Sequence, residues 1–387
     1  MKILYVGHTY TVRANHAKIA ALARLPSVEI TLVTPHGWKG PLYNNLTDKF
    51  EGVSNVDHRI LRAYFIGKES AYFFGPSLFS LIARLKPDIV HVEQGAYAVS
   101  YAQILLALKL FSRRSRALFF TWWNLPYEPH GIRRFLERFN LANSSGAVAG
   151  NNAAETILRD HGFRKPISIL PQLGIDLDSQ NPYGKSETKS LTIGYAGRIT
   201  EEKGVLDLLD AVGKIEDLND VSLYFVGAGP ALAEVKRRAA VRGIRFIHHD
   251  AVRNEEIPEH LALMDVLVLP SRSTPTWVEQ FGHILLEAMA NGVPVIGSNS
   301  GEIPNVIGDA GLIFQEGDLP ALSDAIQFLR FNPRERSRLA QRAFERLQQR
   351  FTNDIIARQQ IGLYEELLAG RNSVEYESRA KEAAHTI

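Results

Sequence analysis

The sequence predicts an α/β protein of two doubly wound, parallel-sheet domains facing across a cleft. Three observations carry this. Short β-type runs alternate with helix-like segments along the chain, and the alternation restarts after a polar stretch at 183–190. The chain has 387 residues, more than the roughly 250–300 at which a single core stops growing.

The elements follow in order. Residues 3–6 are a compact β-type run, and 17–25 have the apolar spacing of a helix. Runs at 29–33, 88–92 (after Pro87), 117–121 and 146–149 continue the series. Strands separated by helices imply a parallel sheet covered on both faces. In the second half, strands are expected at 191–196, 222–226, 244–247, 266–269 and 294–297, with helices from Gly204 and over 282–290. Asn332-Pro333 reads as a helix start, with Leu339, Ala343, Phe344 and Leu347 on one face. Thr352 is placed to cap a last helix bearing Ile356, Leu363, Tyr364 and Leu367, stopped by Gly370. The expected division is an N-terminal domain over 1–182, a C-terminal domain over 183–350, a helix over 351–370 packing back across the domains, and a polar tail over 371–387.

Composition excludes several classes. Lys and Arg number 44 against 42 Asp and Glu, a net charge of +2 that gives no warrant for nucleic-acid binding. No cysteine is present, which removes disulfides, zinc thiolates and iron–sulfur clusters. The N-terminal apolar run is too short for a signal-peptide core, and no stretch reaches the ~20 apolar residues of a membrane span. The passage 102–111 is interrupted by Gln103 and Lys109 and reads as a buried helix. A cytoplasmic protein is expected, with any membrane contact peripheral, at the inner face of the membrane.

The segment richest in chemistry runs from Glu279 to Val295. Gly282 opens a helix and lets backbone approach a ligand, while the unpaired amides at a helix start favour anions and sugar oxygens. Glu279 lies just before that helix and Glu287 within it, among apolar neighbours. A carboxylate there needs a partner, and a ribose diol supplies two donors to one group. The plainer reading makes Glu287 a solvated helix residue.

This segment, with its Glu-x7-Glu spacing, resembles retaining glycosyltransferases of the GT-B fold, family 4 (glycosyl transferases group 1), in which both domains are Rossmann-like. Three neighbouring stretches resemble the family in order: Val266 to Ser271, Gly197-Arg198 to Lys203-Gly204, and Val226 to Pro230. The loop Ser298 to Pro304 resembles the one after the next strand. The likeness is dense over 191–318. In the N-terminal half it is looser, where Pro87 to His91 and Gln172 to Asp176 are recognisable.

The resemblance implies transfer of a sugar from a nucleotide diphosphate sugar to an acceptor hydroxyl of a glycan or glycolipid, with retention at the anomeric carbon. It implies front-face attack assisted by the leaving group. Negative charge grows on the departing diphosphate, and Arg198 and Lys203 are the fixed cations suited to it. Alone, these two read first as surface residues paired with Glu201 and Glu202; beside the Glu279–Glu287 segment they do not. Glu279, with the amides near Phe281 and Gly282, is implied to hold the donor sugar, and Glu287 the ribose. Ser271, Gly197 and His283 complete the expected donor site. No cofactor and no metal is expected. The N-terminal domain is implied to bind the acceptor, with the loop from Gly7 through His8 to His16 at the site. Domain closure would exclude water.

Other signals are weighed against this. Gly227-Ala228-Gly229 suggests a dinucleotide fingerprint, but Leu232 stands where the third glycine belongs. Asp176-Leu177-Asp178 has a metal-binding form used in another transferase fold, yet its place suits a hinge. Where many family members have a donor-contacting histidine, this chain has Trp122-Trp123-Asn124. Trp123 and Asn124 would contact sugar or acceptor, and core packing of the tryptophans is the alternative. His130 lies too far along for that role. Asp250 stands where glycine is common, so the base preference is open. Arg113, Arg114 and Arg116 read first as a solvated helix end and second as a contact for anionic lipid. Two other functions remain: a nucleotide-sugar 2-epimerase, separable by acceptor-free product analysis, and a non-catalytic nucleotide-sugar-binding subunit, which would bind without turnover. An NAD-dependent oxidoreductase would show a nicotinamide absorbance change.

Overall fold

The computed structural model describes residues 1–40, 44–177 and 190–370. It divides into two compact units, Met1–Gly174 with Asn353–Ile387, and Ile175–Thr352. The expected junction at 183–190 lies, but for Ser190, outside the described residues, as do Asp178 and the tail 371–387.

The strands are β1 (Lys2–Val6), β2 (Glu29–Pro35), β3 (Gly37–Lys39), β4 (Asn44–Leu46), β5 (Val56–Leu61), β6 (Ala63–Tyr64), β7 (Phe73–Phe74), β8 (Ile89–Val92), β9 (Arg116–Thr121), β10 (Gly146–Ala149) and β11 (Ile167–Ile169) in the first unit. Its helices are α1 (His16–Ala23), α2 (Ser77–Leu85), α3 (Val99–Phe111), α4 (Gly131–Asn143) and α5 (Asn152–Asp160). Seven strands form one sheet in the order β11-β10-β9-β8-β1-β2-β5, and every pairing is parallel. The chain leaves β1 for one side and later returns to place β8 on the other. The topological switch point therefore lies between β1 and β8, where such sheets bind ligands at the strands' carboxyl ends.

Burial explains the sheet. Ile3, Leu4, Tyr5 and Val6 are all buried, because helices cover both faces. Leu4 and Val6 pack with Val90, Val92, Tyr101 and Ile104 on one side. Ile3 and Tyr5 pack with Ile19, Leu22 and Leu118 on the other. The same second layer takes Ala357, Leu363, Tyr364 and Leu367 from the final helix.

The second unit holds β12 (Leu191–Ala196), β13 (Val221–Val226), β14 (Arg245–His249), β15 (Val266–Leu269), β16 (Val295–Ser298) and β17 (Leu312–Phe314). Its helices are α6 (Val205–Val212), α7 (Leu232–Val241), α8 (Ile257–Leu261), α9 (His283–Ala290), α10 (Ile303–Ile307), α11 (Leu319–Phe331) and α12 (Pro333–Arg350); α13 (Asn353–Ala369) returns to the first unit. The sheet order is β14-β13-β12-β15-β16-β17, again all parallel. Here the switch point lies between β12 and β15. Both sheets are thus doubly wound, as the alternation of elements predicted. The short strands β5, β11 and β17 and the hairpins β3–β4 and β6–β7 carry too little period-2 apolar pattern to announce themselves. In β5, for instance, Asp57, Arg59 and Ile60 are exposed.

Candidate functional site

At the second switch point, the turn after β12 carries Gly197 and Arg198, and the turn after β15 carries Pro270 and Ser271. Glycines let these turns close on their neighbours. A Cβ on Gly204 would lie 1.8 Å from the Pro270 carbonyl oxygen, and Gly204 itself has a φ of +68°, so no other residue fits without displacing the turn. This contact, with the Arg272 amide donating to the Glu202 carbonyl at 2.8 Å, seats the Lys203 turn against the end of β15. Gly227 and Gly229 serve the same purpose: their Cβ positions would fall 1.9 and 2.2 Å from the carbonyl oxygens of Gly197 and Ile199. The glycine pair that suggested a dinucleotide motif is explained by this packing.

The side chains then meet. The Lys203 ammonium donates to Glu279 Oε2 at 2.6 Å, and the Ser271 hydroxyl donates to the same oxygen at 2.8 Å. Lys203 is therefore paired with Glu279, not with Glu201 or Glu202. The pair is nearly but not fully buried, with side-chain exposures of 15% and 8%. Lys203 also sits 4.6 Å from the ring centre of Trp277, a cation–π contact that steadies the ammonium. Behind Glu279, its carbonyl accepts from the Glu302 amide at 3.2 Å, and a Cβ on Gly301 would collide with that carbonyl at 2.0 Å. The loop after β16 is thereby locked onto the residue that carries the carboxylate, and Ser298 Oγ donates to the Ser271 carbonyl at 2.6 Å.

Gly282 has a φ of +81° and stands as N-cap of α9, so the left-handed turn aims the helix start. Phe281 is buried between the His283 ring at 5.0 Å and the Phe351 ring at 6.0 Å. Burial holds the His283 imidazole down to about 4, so it is neutral near pH 7. Glu287 lies one turn further on and is partly buried. Burial pushes its carboxyl up to about 7, and among the described residues no hydrogen bond or ion pair reaches it. Arg198 is exposed and in no ion pair among the described residues. The Tyr195 hydroxyl donates to the backbone carbonyl of Arg198, and burial, then the charge of Glu279, raises its phenol. Asp250 is exposed at the end of β14, 3.9 Å from His248.

The first switch point is differently built. Gly7 and His8 follow β1, and Glu93 and Gln94 follow β8. Lys18 and Glu93 form an ion pair at 2.9 Å with side-chain exposures of 1% and 0%. Glu93 Oε1 also accepts from the hydroxyls of Tyr5 at 2.6 Å and Tyr10 at 2.7 Å, and Oε2 from the Gln172 amide at 2.7 Å. Burial raises the carboxyl, but the Lys18 charge and the two phenols outweigh it and hold Glu93 below the ordinary carboxylate range. Gln172 also donates to Thr9 Oγ1 at 2.9 Å and accepts from Trp122 Nε1 at 2.8 Å. One amide so fastens the loop after β1 and the segment after β9 to the buried acid.

His8 is stacked on Trp38 at 4.1 Å and bonded at Nδ1 by the Gln94 amide at 2.7 Å. Burial lowers it to about 4. The amide nitrogen can only donate, so Nδ1 accepts and Nε2 carries the proton. His16 turns inward, with Nε2 on the Tyr10 carbonyl at 3.0 Å. Trp122 packs edge-on against Phe120 and fills the space above Gly150, where a Cβ would lie 2.1 Å from its ring. Trp123 is exposed, with its ring against Tyr127, and Asn124 is partly buried beside it.

The structure therefore gathers Lys203, Glu279 and Ser271 into one cluster, whereas Arg198 makes no ion pair with it. Sequence reading missed Trp277, Glu93 and Lys18, and held Gln172 only as the first residue of the stretch to Asp176. Trp277 had a signal, an aromatic two residues before Glu279 in a Pro-containing loop. Lys18 had a fainter one, a cation on the apolar face of a predicted helix.

Residues 179–346 match the family model described as glycosyl transferases group 1. The chain is 26% identical over 324 residues to a sulfoquinovosyl transferase of Arabidopsis thaliana, covering 75% of this chain and 58% of that protein. It is 33% identical over 194 residues to an N-acetyl-alpha-D-glucosaminyl L-malate synthase of Bacillus anthracis, covering 48% of each. The match thus spans about half to three-fifths of the length of these curated relatives. Among solved structures, sucrose-phosphate synthase from Thermosynechococcus elongatus superposes with a TM-score of 0.67 at 20% identity, over 96% of this chain and 100% of that one. Anabaena HepE in complex with UDP gives 0.65 at 16% identity, over 95% and 100%. These two likenesses are of fold, the paired Rossmann-like units of the GT-B class.

Proposed function

We propose, for a chain whose residues 179–346 belong to the glycosyl transferases group 1 family, that it is a retaining glycosyltransferase taking its sugar from a nucleotide diphosphate sugar. Relatives named as sugar transferases, and the UDP in the Anabaena HepE complex, support such a donor. The observation that carries the reading is the Lys203–Glu279–Ser271 cluster at the β12–β15 switch point. A cation and an acid held together where such sheets bind ligands can serve the two ends of one departing bond.

In this reading the bond between the sugar's anomeric carbon and the diphosphate oxygen breaks. The acceptor hydroxyl forms the new bond from the same face, and its proton passes to the leaving phosphate. Lys203 has three N–H donors and spends one on Glu279, leaving others for phosphate. Arg198 offers its planar fork to the same group. Glu279 positions the sugar hydroxyls, and the neutral His283 and the α9 amides lie beside it. Glu287 takes the ribose diol, which supplies the donors its carboxylate lacks. The N-terminal unit takes the acceptor, a glycan or glycolipid hydroxyl, near His8, Trp123 and Asn124. Charge stabilisation falls to Arg198 and Lys203, so EDTA should leave the transfer rate unchanged.

The test is a thermal-shift panel of UDP-, GDP- and ADP-sugars, followed by a transfer assay with the stabilising donor. A ligand that binds only the native state raises its melting temperature by mass action. No shift with any of them at millimolar concentration sinks the donor assignment. Inversion at the anomeric carbon of the product sinks the stereochemical one.

A further inference from the structure

We propose that the outward face of α3 and α4 in the N-terminal unit docks on an anionic lipid surface. The two helices are neighbours: the Lys109 ammonium of α3 lies 5.0 Å from the ring centre of Phe139 on α4. Each exposes large apolar side chains. Ile132 and Phe135 on α4 are 69% and 65% exposed, and Leu110 on α3 is 60% exposed, with Leu106 a turn before it. A globular protein scatters single exposed apolar residues, but paired ones on adjoining helices mark a contact surface.

Charge selects the occupant. Between Val99 and Asn143 the chain has seven basic residues (one Lys, six Arg) against two acidic ones, Glu128 and Glu137, of which Glu137 is buried. Arg113, Arg114 and Arg116 follow α3, and Arg133, Arg134 and Arg138 lie on α4. Among the described residues none of the seven is in an ion pair, whereas in the other unit Arg237, Arg238, Arg242, Arg272 and Arg330 all are. Arg134 and Arg138 also line a cavity of about 640 Å³ with Arg164, though Glu128 and Asp160 offset part of its charge. Exposed apolar side chains on two helices that also carry guanidinium groups outside any ion pair fit an interface of acyl chains below phosphate headgroups. A solvated helix end accounts for the arginines after α3, but not for Ile132 and Phe135. The proposal rests on the transferase reading only for what it would bring near: a membrane-borne acceptor on the unit assigned to acceptors.

The full chain is sedimented with vesicles of phosphatidylcholine alone and with vesicles containing phosphatidylglycerol, at low and high salt. Binding to the anionic vesicles only, weakened by salt, is expected. The triple variant Arg133→Glu, Arg134→Glu, Arg138→Glu should lose partitioning by about 100-fold or more. Ile132→Ser with Phe135→Ser should lose most of it while the salt dependence remains. Equal binding to both vesicle types, no binding, or unchanged binding of both variants overturns the proposal. So does sedimentation-velocity data showing a dimer that the apolar variant splits, because the face then belongs to a second copy. Melting temperature and donor thermal shift are read on the same proteins. All these side chains are exposed, so both should stay unchanged. Loss of vesicle binding with donor binding intact separates failure here from failure of the transferase reading.

Discussion

Each unit carries a lysine–glutamate pair at its switch point, and the two pairs have opposite surroundings. Lys18–Glu93 is sealed and saturated: four donors converge on one carboxylate, and water is excluded. Lys203–Glu279 keeps a solvent-facing side, and among the described residues the Glu287 carboxyl, one turn into the following helix, has no partner. The same chemical pair is a structural tie in one place and a candidate reaction centre in the other. What distinguishes them is access: the side chains of the sealed pair are 1% and 0% exposed, those of the open pair 15% and 8%.

The comparison is broken most directly by turnover. Lys203→Ala and Glu279→Gln should each lower transfer about 100- to 10,000-fold with little change in melting temperature, as read in a single-donor assay. Near-native rates would make the open pair structural as well. The mirror experiment is Lys18→Met. It strands a buried carboxylate and should cost about 3–5 kcal/mol by denaturant unfolding. Adding Glu93→Gln should recover part of that loss. A Lys18→Met protein of native stability but no turnover would reverse the two roles. Arg198→Ala should weaken nucleoside diphosphate binding about 10- to 100-fold by calorimetry, with stability untouched, since a charge-assisted hydrogen bond is worth about 1.5–3 kcal/mol.

The smallest effect is a pH dependence. With the carboxyl of Glu287 raised to about 7, the free protein holds it half protonated near neutrality. Diol donors favour the ionised form, so donor binding releases a proton. Affinity should rise several-fold as pH climbs toward 7 and level off above it. Glu287→Gln should flatten that profile in calorimetry, and an unchanged profile would remove the ribose role. The same shift acts on stability: a raised carboxyl favours the native state at low pH, and that contribution fades between about 4.5 and 7.

Much of this was legible in the sequence, unevenly. The buried parallel strands announce themselves because both faces are apolar, as in Ile3 to Val6 and Val266 to Leu269. The edge strand β17, only Leu312–Phe314, does not. On the site, glycines were informative because Gly204 and Gly301 sit where backbone must pass close to backbone and Gly282 takes a left-handed turn. Glu279 and Lys203 were readable from spacing and resemblance, but their direct contact spans 76 positions and only the fold brings it about. Trp122 and Trp123 were indistinguishable as neighbours in sequence. The structure separates them, because Gly150 leaves room for one ring and not the other. The saturation of Glu93 by donors from β1, α1 and the segment after β11 had no local signature at all.

The last helix has one more consequence. Tyr364 of α13 bonds His91 at 2.6 Å inside the first unit, and Ala357 and Leu363 fill the same layer as Ile3 and Tyr5. The ribosome makes that layer's final piece after the entire second unit. Until then the nascent first unit has a missing plank, and its hydrophobic interior stays open to chaperones. For this protein, the half begun first is the half completed last.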